Sequence, residues 1–317
     1  MASAIIEAVG ETGIGLTLLP VFYAHGGFGG APAGVGQRRF INGIDGFAKL
    51  IEQTRTLVAP LPDAIVGVAP HSLRAVTPDE LRLVEQLAGD GPIHIHIAEQ
   101  IREVDDYLAW SGARPVQWLL DHTDVDSRWC LVHATHIDDA ELSALARSCA
   151  VVGLCPITEA NLGDGIFPAA AFMEAGGRIG VGSDSNVRID LSEELRLLEY
   201  GQRLTSRARN VLAKDGSGST GQTLYAAAVA GGAQALGIGG VLAVGNAADI
   251  VSLDTGHASL IERENSGLLD AFVFAAGKDA IDCVWRRGEK LVSGGRHRSR
   301  EPIEARYRTV LRELLGQ

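Results

Sequence analysis

The stretch GPIHIHIAEQ, residues 91–100, decides how the rest of the chain is read. Isoleucine and histidine alternate, so a strand turns Ile93, Ile95 and Ile97 to one face and His94, His96 and Ala98 to the other. Glu99 follows the second histidine by three places and falls just past the strand end. Two imidazoles on one face of a buried strand are either hydrogen-bonded core residues or members of a site. For His94, deeper in the strand, the core reading is preferred; for His96 with Glu99, taken alone, the two readings balance.

Working outward, the same rhythm runs from residue 14 to about 184. Apolar, β-branched segments recur as GLTLLPVFY, AIVGVAP, IHIHIA, WCLVHA, AVVGLC and RIGVGSD, with amphipathic helical stretches between them. TPDELRLVEQLA carries a capping box, Thr77 with Glu80, and a proline at its first helical position. HIDDAELSALARS and AAAFMEAGG read as further helices, the latter stopped by its glycines. Alternating strands and helices predict a parallel sheet, either open and doubly wound or closed as a barrel. No G-x-G-x-x-G follows a strand, which argues against a Rossmann-type oxidoreductase. The segments share instead a polar group at the C-terminal end: Tyr23, His71, His96, His133 and Asp184. Barrel enzymes place their chemistry there. Six segments are two short of the eight a closed barrel needs.

After residue 220 the pattern changes. TLYAAAVAGGAQALGI reads as a helix, and GVLAVGNAADIVSLDT, DAFVFAAG and IDCVWRRGEKLVSGG read as short antiparallel strands. EPIEARYRTVLRELL reads as a final amphipathic helix. The bulk numbers bound the partners. With 317 residues, 46% hydrophobic and 21% charged, the chain has ample core for a large globular fold. A net charge of -11 argues against nucleic acid or an anionic membrane as partner, yet leaves room for a small anionic substrate met by local arginines. Four scattered cysteines without a C-x-x-C pair fit a reducing cytoplasm, and the start shows no basic, apolar leader.

A lone histidine after a strand is usually a surface polar group, and a lone Asp in GSDSN is usually a turn residue. Several at the same end of consecutive strands are hard to obtain by chance. Histidine with carboxylate suits zinc, with an open position for water. In order and spacing, HIHIAE, LVHATH and VGSDSN resemble the amidohydrolase superfamily of metal-dependent deaminases, over nearly the whole chain. The longer strings LLPVFYAHGGFGG, HSLRAVTP, HIHIAEQIREVDDYLAWSGARPVQWLLD and CPITEANLGDGIFP resemble its members that hydrolyse N-formimidoyl-L-glutamate to N-formyl-L-glutamate and ammonia in histidine breakdown.

That resemblance implies His96 and Asp184 as ligands of one zinc per subunit, Glu99 as the proton shuttle, and His133 as the group that polarises the water, with Asp184 or His133 taking its proton. Arg74, with His71 and Tyr23, would bind a substrate carboxylate; taken alone, Arg74 reads as a solvated charge before a helix. It further implies a homodimer and a TIM-type (β/α)8 barrel of the amidohydrolase kind, N-terminally incomplete, over residues 1–238. β-sandwich strands over 239–300 and a C-terminal helix over 301–317 complete the expected organisation. The superfamily's first strand supplies two more ligands as His-x-His, and nothing before residue 14 matches it; His25 has no partner two away. The expectation is therefore weak zinc binding, little or no deiminase activity from these 317 residues, and exposed sheet edges. Two competing readings stand beside it: another superfamily deaminase, acting on guanine, cytosine or a related ring, and a non-catalytic remnant.

Overall fold

The computed structural model describes residues 1–186, 188–213 and 218–316; Gln317, the last residue of the expected final helix, lies outside the described residues. The strands are β1 (Thr17–Leu18), β2 (Val21–Phe22), β3 (Ile65–Val66), β4 (Ala69–Pro70), β5 (Ile93–Ile97), β6 (Trp129–His133), β7 (Val151–Leu154), β8 (Arg178–Val181), β9 (Ile250–Leu253), β10 (Ile281–Arg286), β11 (Glu289–Ser293) and β12 (Arg296–His297). The helices in the first half are α1 (Ala2–Thr12), α2 (Ile44–Val58), α3 (Pro78–Ala88), α4 (Ile101–Ser111), α5 (Pro115–His122) and α6 (Asp139–Arg147). They continue as α7 (Pro156–Leu162), α8 (Ala169–Glu174), α9 (Leu191–Ser206), α10 (Thr220–Leu236), α11 (Ser266–Ala271) and α12 (Arg300–Leu314).

All six expected segments form strands. β1 with β3 and β2 with β4 pair in parallel, each of the first two segments being interrupted once. Bridges from Val68 to Ile93 and from Ser72 to His96 join them to β5, and β5-β6-β7-β8 follow in sequence order, all parallel. The result is a TIM-barrel-type α/β arrangement. Alternation along β5 is as the sequence requires: the three isoleucines are buried in the main core with Trp129, Leu131 and Val152, against residues of the surrounding helices such as Leu81, Val104 and Leu119. His94 and His96 face the other way, half-buried. The predicted capping box starts α3, where Thr77 Oγ1 accepts the Glu80 N–H and the Glu80 carboxylate accepts the Thr77 N–H.

Helix α10 closes the end of the sheet opposite the candidate site. Its last turn meets several strands at once: the Leu236 carbonyl accepts from Thr17 Oγ1, and Gln234 Nε2 donates to the carbonyls of Ser127 and Cys149, just before β6 and β7. Midway along, Gly231 lies so close to β8 that a Cβ there would stand 2.0 Å from the Ile179 carbonyl oxygen. Only glycine allows that approach. The edge of β8 expected to be open is thus met by a helix at this point, one of the ways sheets blunt an exposed edge.

The β appendage forms one antiparallel sheet in the order β12-β11-β10-β9. DAFVFAAG, expected to be a strand, is not part of it. Residues 266–276 form α11 and a π-helical turn over Phe272–Ala276. Phe272 and Val273 are buried with the residues of α9 and α10, and the Asp270 carboxylate accepts the Gly221 N–H at the start of α10. A helix can bury these apolar residues on one stripe and bond its own backbone, whereas a strand there would need a sheet neighbour. No helix of the described residues is long and apolar enough to cross a membrane.

Candidate active site at the strand ends

The parallel strands bring their C-terminal ends together, and at three of them the backbone turns sharply. Ala98 after β5, His133 and Ala134 at the end of β6, and Asp184 after β8 all have positive φ, between 49° and 69°, without being glycine. Such conformations cost of order 1 kcal/mol each and persist only where the surroundings hold them. Here the holding groups are visible. Glu103, on α4, accepts the N–H groups of Ala98 and Glu99, and the Ile97 carbonyl accepts the Ala134 N–H. In an extended strand His133 would share the face of Trp129 and Leu131; the φ of 69° breaks the alternation, and its ring stacks on His96 with centroids 5.7 Å apart.

Three imidazoles form a row. His71 packs against His96 at 5.1 Å between centroids, His96 against His133, and Tyr23 closes the far end edge-on to His71 at 4.7 Å. Burial, helped by the nearby His96 and Arg74 charges, pulls His71 down to about 4, so its ring is neutral at neutral pH. His133 is different. Burial alone would lower it, but the bond to Glu159 and the charges of Glu99, Glu159 and Asp184 outweigh that and raise it. Its Nε2 lies 3.7 Å from Glu99 Oε1, and its Nδ1 lies 3.3 Å from Glu159 Oε1. His94 makes no part of this row. Its Nε2 bonds the Ala235 carbonyl at 2.7 Å, as a core histidine should, which answers the question the IHIH alternation poses.

His96 is suited to a metal. Its Nδ1 lies 2.9 Å from the His71 carbonyl, a group that can only accept, so the proton sits on Nδ1 and the Nε2 lone pair is free. Anchoring one ring nitrogen to a backbone carbonyl is how metal-ligating histidines are commonly oriented. Asp184 is exposed, with one carboxylate oxygen accepting the N–H of Ser185 at 2.6 Å. The donor chemistry therefore fits a divalent ion, but no group of three or more such donors comes together among the described residues.

Of the remaining predicted residues, Arg74 is exposed and makes no hydrogen bond or ion pair among the described residues, leaving its guanidinium open to an anion. Tyr23 is buried, and its hydroxyl accepts from Gln37 Nε2 at 2.8 Å. His25 is bonded to Glu80 at 2.8 Å. Sequence reasoning missed Glu159 and Glu194. Glu159 is only 6% exposed, and Oε1 also accepts the Cys155 N–H at 2.9 Å. Glu194, on α9, accepts the Ile157 N–H, and burial pushes it up to about 7. The one signal available was positional: PITE opens a helix directly after β7, at the same end of the sheet as His133.

Comparison with known proteins bears on this arrangement. A model described as the Amidohydrolase family matches residues 2–291. Over 315 residues the chain is 53% identical to formimidoylglutamate deiminase from Pseudomonas aeruginosa, covering 98% of this chain and 69% of that one. Its structure is similar to that of an amidohydrolase from Brucella melitensis, with a TM-score of 0.95 and 55% identity, covering 99% of this chain and 70% of that one. An adenosine deaminase from Xanthomonas campestris, solved with bound zinc, shares the fold at a TM-score of 0.82 and 22% identity, covering 100% of this chain and 70% of its own.

Proposed function

The chain belongs to the amidohydrolase family, and from that premise we propose that it hydrolyses N-formimidoyl-L-glutamate to N-formyl-L-glutamate and ammonia, a step of histidine breakdown. The observation that carries this reading is the 53% identity to formimidoylglutamate deiminase, spread over 98% of the chain rather than confined to motifs. The geometry supports it. Arg74, without a partner among the described residues and close enough to His71 to bear on its charge, suits the glutamyl carboxylate because a guanidinium fork matches a carboxylate in two parallel hydrogen bonds. His71 and Tyr23 line the same end.

His96 and Asp184 are the proposed ligands of one divalent ion per subunit, for which we propose zinc. Such an ion, when bound, supplies Lewis acidity that lets water lose a proton near neutral pH. Glu99 takes that proton and delivers it to the departing nitrogen, the work of a carboxylate general acid and base. His133 directs Nε2 towards Glu99 and the reacting atoms, where its lone pair accepts a hydrogen bond from the water and holds it for attack on the formimidoyl carbon. Asp184 adds a second carboxylate able to hold the water's proton. All four cysteines are free thiols, which supports the cytoplasm as the place of action.

The test is ammonia release from N-formimidoyl-L-glutamate by the purified protein with zinc in excess, beside adenosine, guanine and cytosine. Release confined to the acyclic substrate is the expected result. Release from a ring amine at comparable kcat/KM would transfer the assignment to another deaminase.

A further inference from the structure

Glu159 has no part in the chemistry described above, yet it is the carboxylate nearest to His133. It sits in the first turn of the helix that follows β7, nearly buried, facing an imidazole that is itself only 1% exposed. Its Oε1 is held from one side by the Cys155 N–H at 2.9 Å and faces His133 Nδ1 at 3.3 Å. A backbone amide fixes that oxygen in place, so it cannot swing away from the ring. Across the imidazole, Nε2 faces Glu99 Oε1 at 3.7 Å. An ionised carboxylate can only accept hydrogen bonds. The proton of the Glu159 contact therefore belongs to Nδ1, and the nitrogen turned towards Glu99 is Nε2.

We propose that Glu159 is a positioning residue: it holds His133 as the Nδ1–H tautomer, so that Nε2 is the nitrogen presented to Glu99 and to the reacting atoms. Its effect on turnover rests on the deiminase reading; the tautomer does not. A carboxylate on the far nitrogen of a working histidine sets both ring orientation and tautomer, and its removal frees the tautomer to reverse. Oε1 meets both the Cys155 N–H and Nδ1, so Glu159→Gln, with its amide oxygen in that place, keeps both contacts and should keep the tautomer. Glu159→Leu has a similar volume and removes the acceptor.

The full chain, metal-free and labelled with 15N-histidine, allows the tautomer of each ring to be read from two-bond nitrogen–proton correlations at about pH 9, where a neutral ring keeps one proton. The His133 signals are those lost in His133→Asn. The expected result is a proton on Nδ1 in the wild-type chain and in Glu159→Gln, and its transfer towards Nε2 in Glu159→Leu. With zinc and N-formimidoyl-L-glutamate, kcat of Glu159→Leu should fall at least about 100-fold while KM stays within about threefold, and Glu159→Gln should restore most of it. A wild-type proton on Nε2, or an identical His133 pattern in wild type and Glu159→Leu, overturns the proposal. Should Glu159→Leu fail to fold, the wild-type spectrum alone decides. Absence of ammonia release by the wild-type protein would count against the deiminase reading and leave the tautomer result standing.

Discussion

The strand-end site and the antiparallel sheet β9–β12 carry their charges in opposite ways. Around the site and along α9, carboxylates are buried or half-buried and held by backbone amides: Glu159 by Cys155, Glu194 by Ile157, Glu103 by Ala98 and Glu99, and, farther along α9, Glu199 by Val211 and Leu212. At the outer strands of the sheet, arginines meet acids in the open, Arg298 with Glu289 and Arg296 with Glu301, all four side chains well exposed, whereas Arg286 of β10 is largely covered where it meets Asp63 and Asp249. A buried carboxylate gripped by peptide N–H groups is fixed before any substrate arrives; an exposed pair is neither fixed nor costly to lose. The lesson is that this fold concentrates its uncompensated electrostatic cost where chemistry needs preorganised groups, and keeps the appendage cheap.

Several changes would break or sharpen that contrast. The largest effect is expected at the site itself: Glu99→Gln should lower kcat about 10³-fold for N-formimidoyl-L-glutamate while leaving the thermal transition in place, since Glu99 is partly exposed and its loss removes a proton carrier. Next comes Glu199→Ala. Its carboxylate is fully buried, accepts two backbone N–H groups and pairs with Arg203, so urea unfolding should show a loss of about 3–5 kcal/mol. A transition shifted by less than 1 kcal/mol would remove Glu199 from the contrast.

Glu194 gives the contrast a pH axis. Burial raises it from 4.5 to about 7, so the folded state takes up its proton more readily than the unfolded chain. Its contribution is then fully present below pH 4.5 and is lost as pH rises through about 7, a change of order 3 kcal/mol at most. Glu194→Gln retains an acceptor for Ile157 and should flatten that decline, measured by unfolding at pH 5 and pH 8. An equal decline in both proteins would mean Glu194 is not buried as described. The smallest effect belongs to the appendage. Arg298→Ala should change stability by roughly 0–1 kcal/mol, and added salt should erase even that.

Much of this arrangement is legible in the chain. Periodicity marks all six segments that form the parallel strands, and the capping box at Thr77 is a local signal that the structure realises atom by atom. His94 and His96 share the face the alternation gives them and separate by depth along the strand, one bonded into the core and one anchored at the strand end. The rest depends on long-range contacts. DAFVFAAG reads as a strand because its apolar residues carry no period of their own; burial with α9 and α10 makes it helical. The positive φ at Ala98 and Ala134 has no local signal, and at His133 and Asp184 only the mild tolerance of His and Asp for that region, so the surrounding strands and loops decide it. Glu159 stands 26 residues from His133, and nothing local announces that a helix after β7 will point a carboxylate at a ring on β6.

The measurement that tests the central claim most directly is zinc-dependent ammonia release, followed while zinc is titrated into the metal-free protein and into His96→Ala. Release from N-formimidoyl-L-glutamate should rise with zinc in the parent chain and vanish in His96→Ala, which removes the Nε2 donor. Release that ignores zinc, or that persists without the His96 imidazole, would contradict the assignment of this strand end as the metal-bearing part of a deiminase.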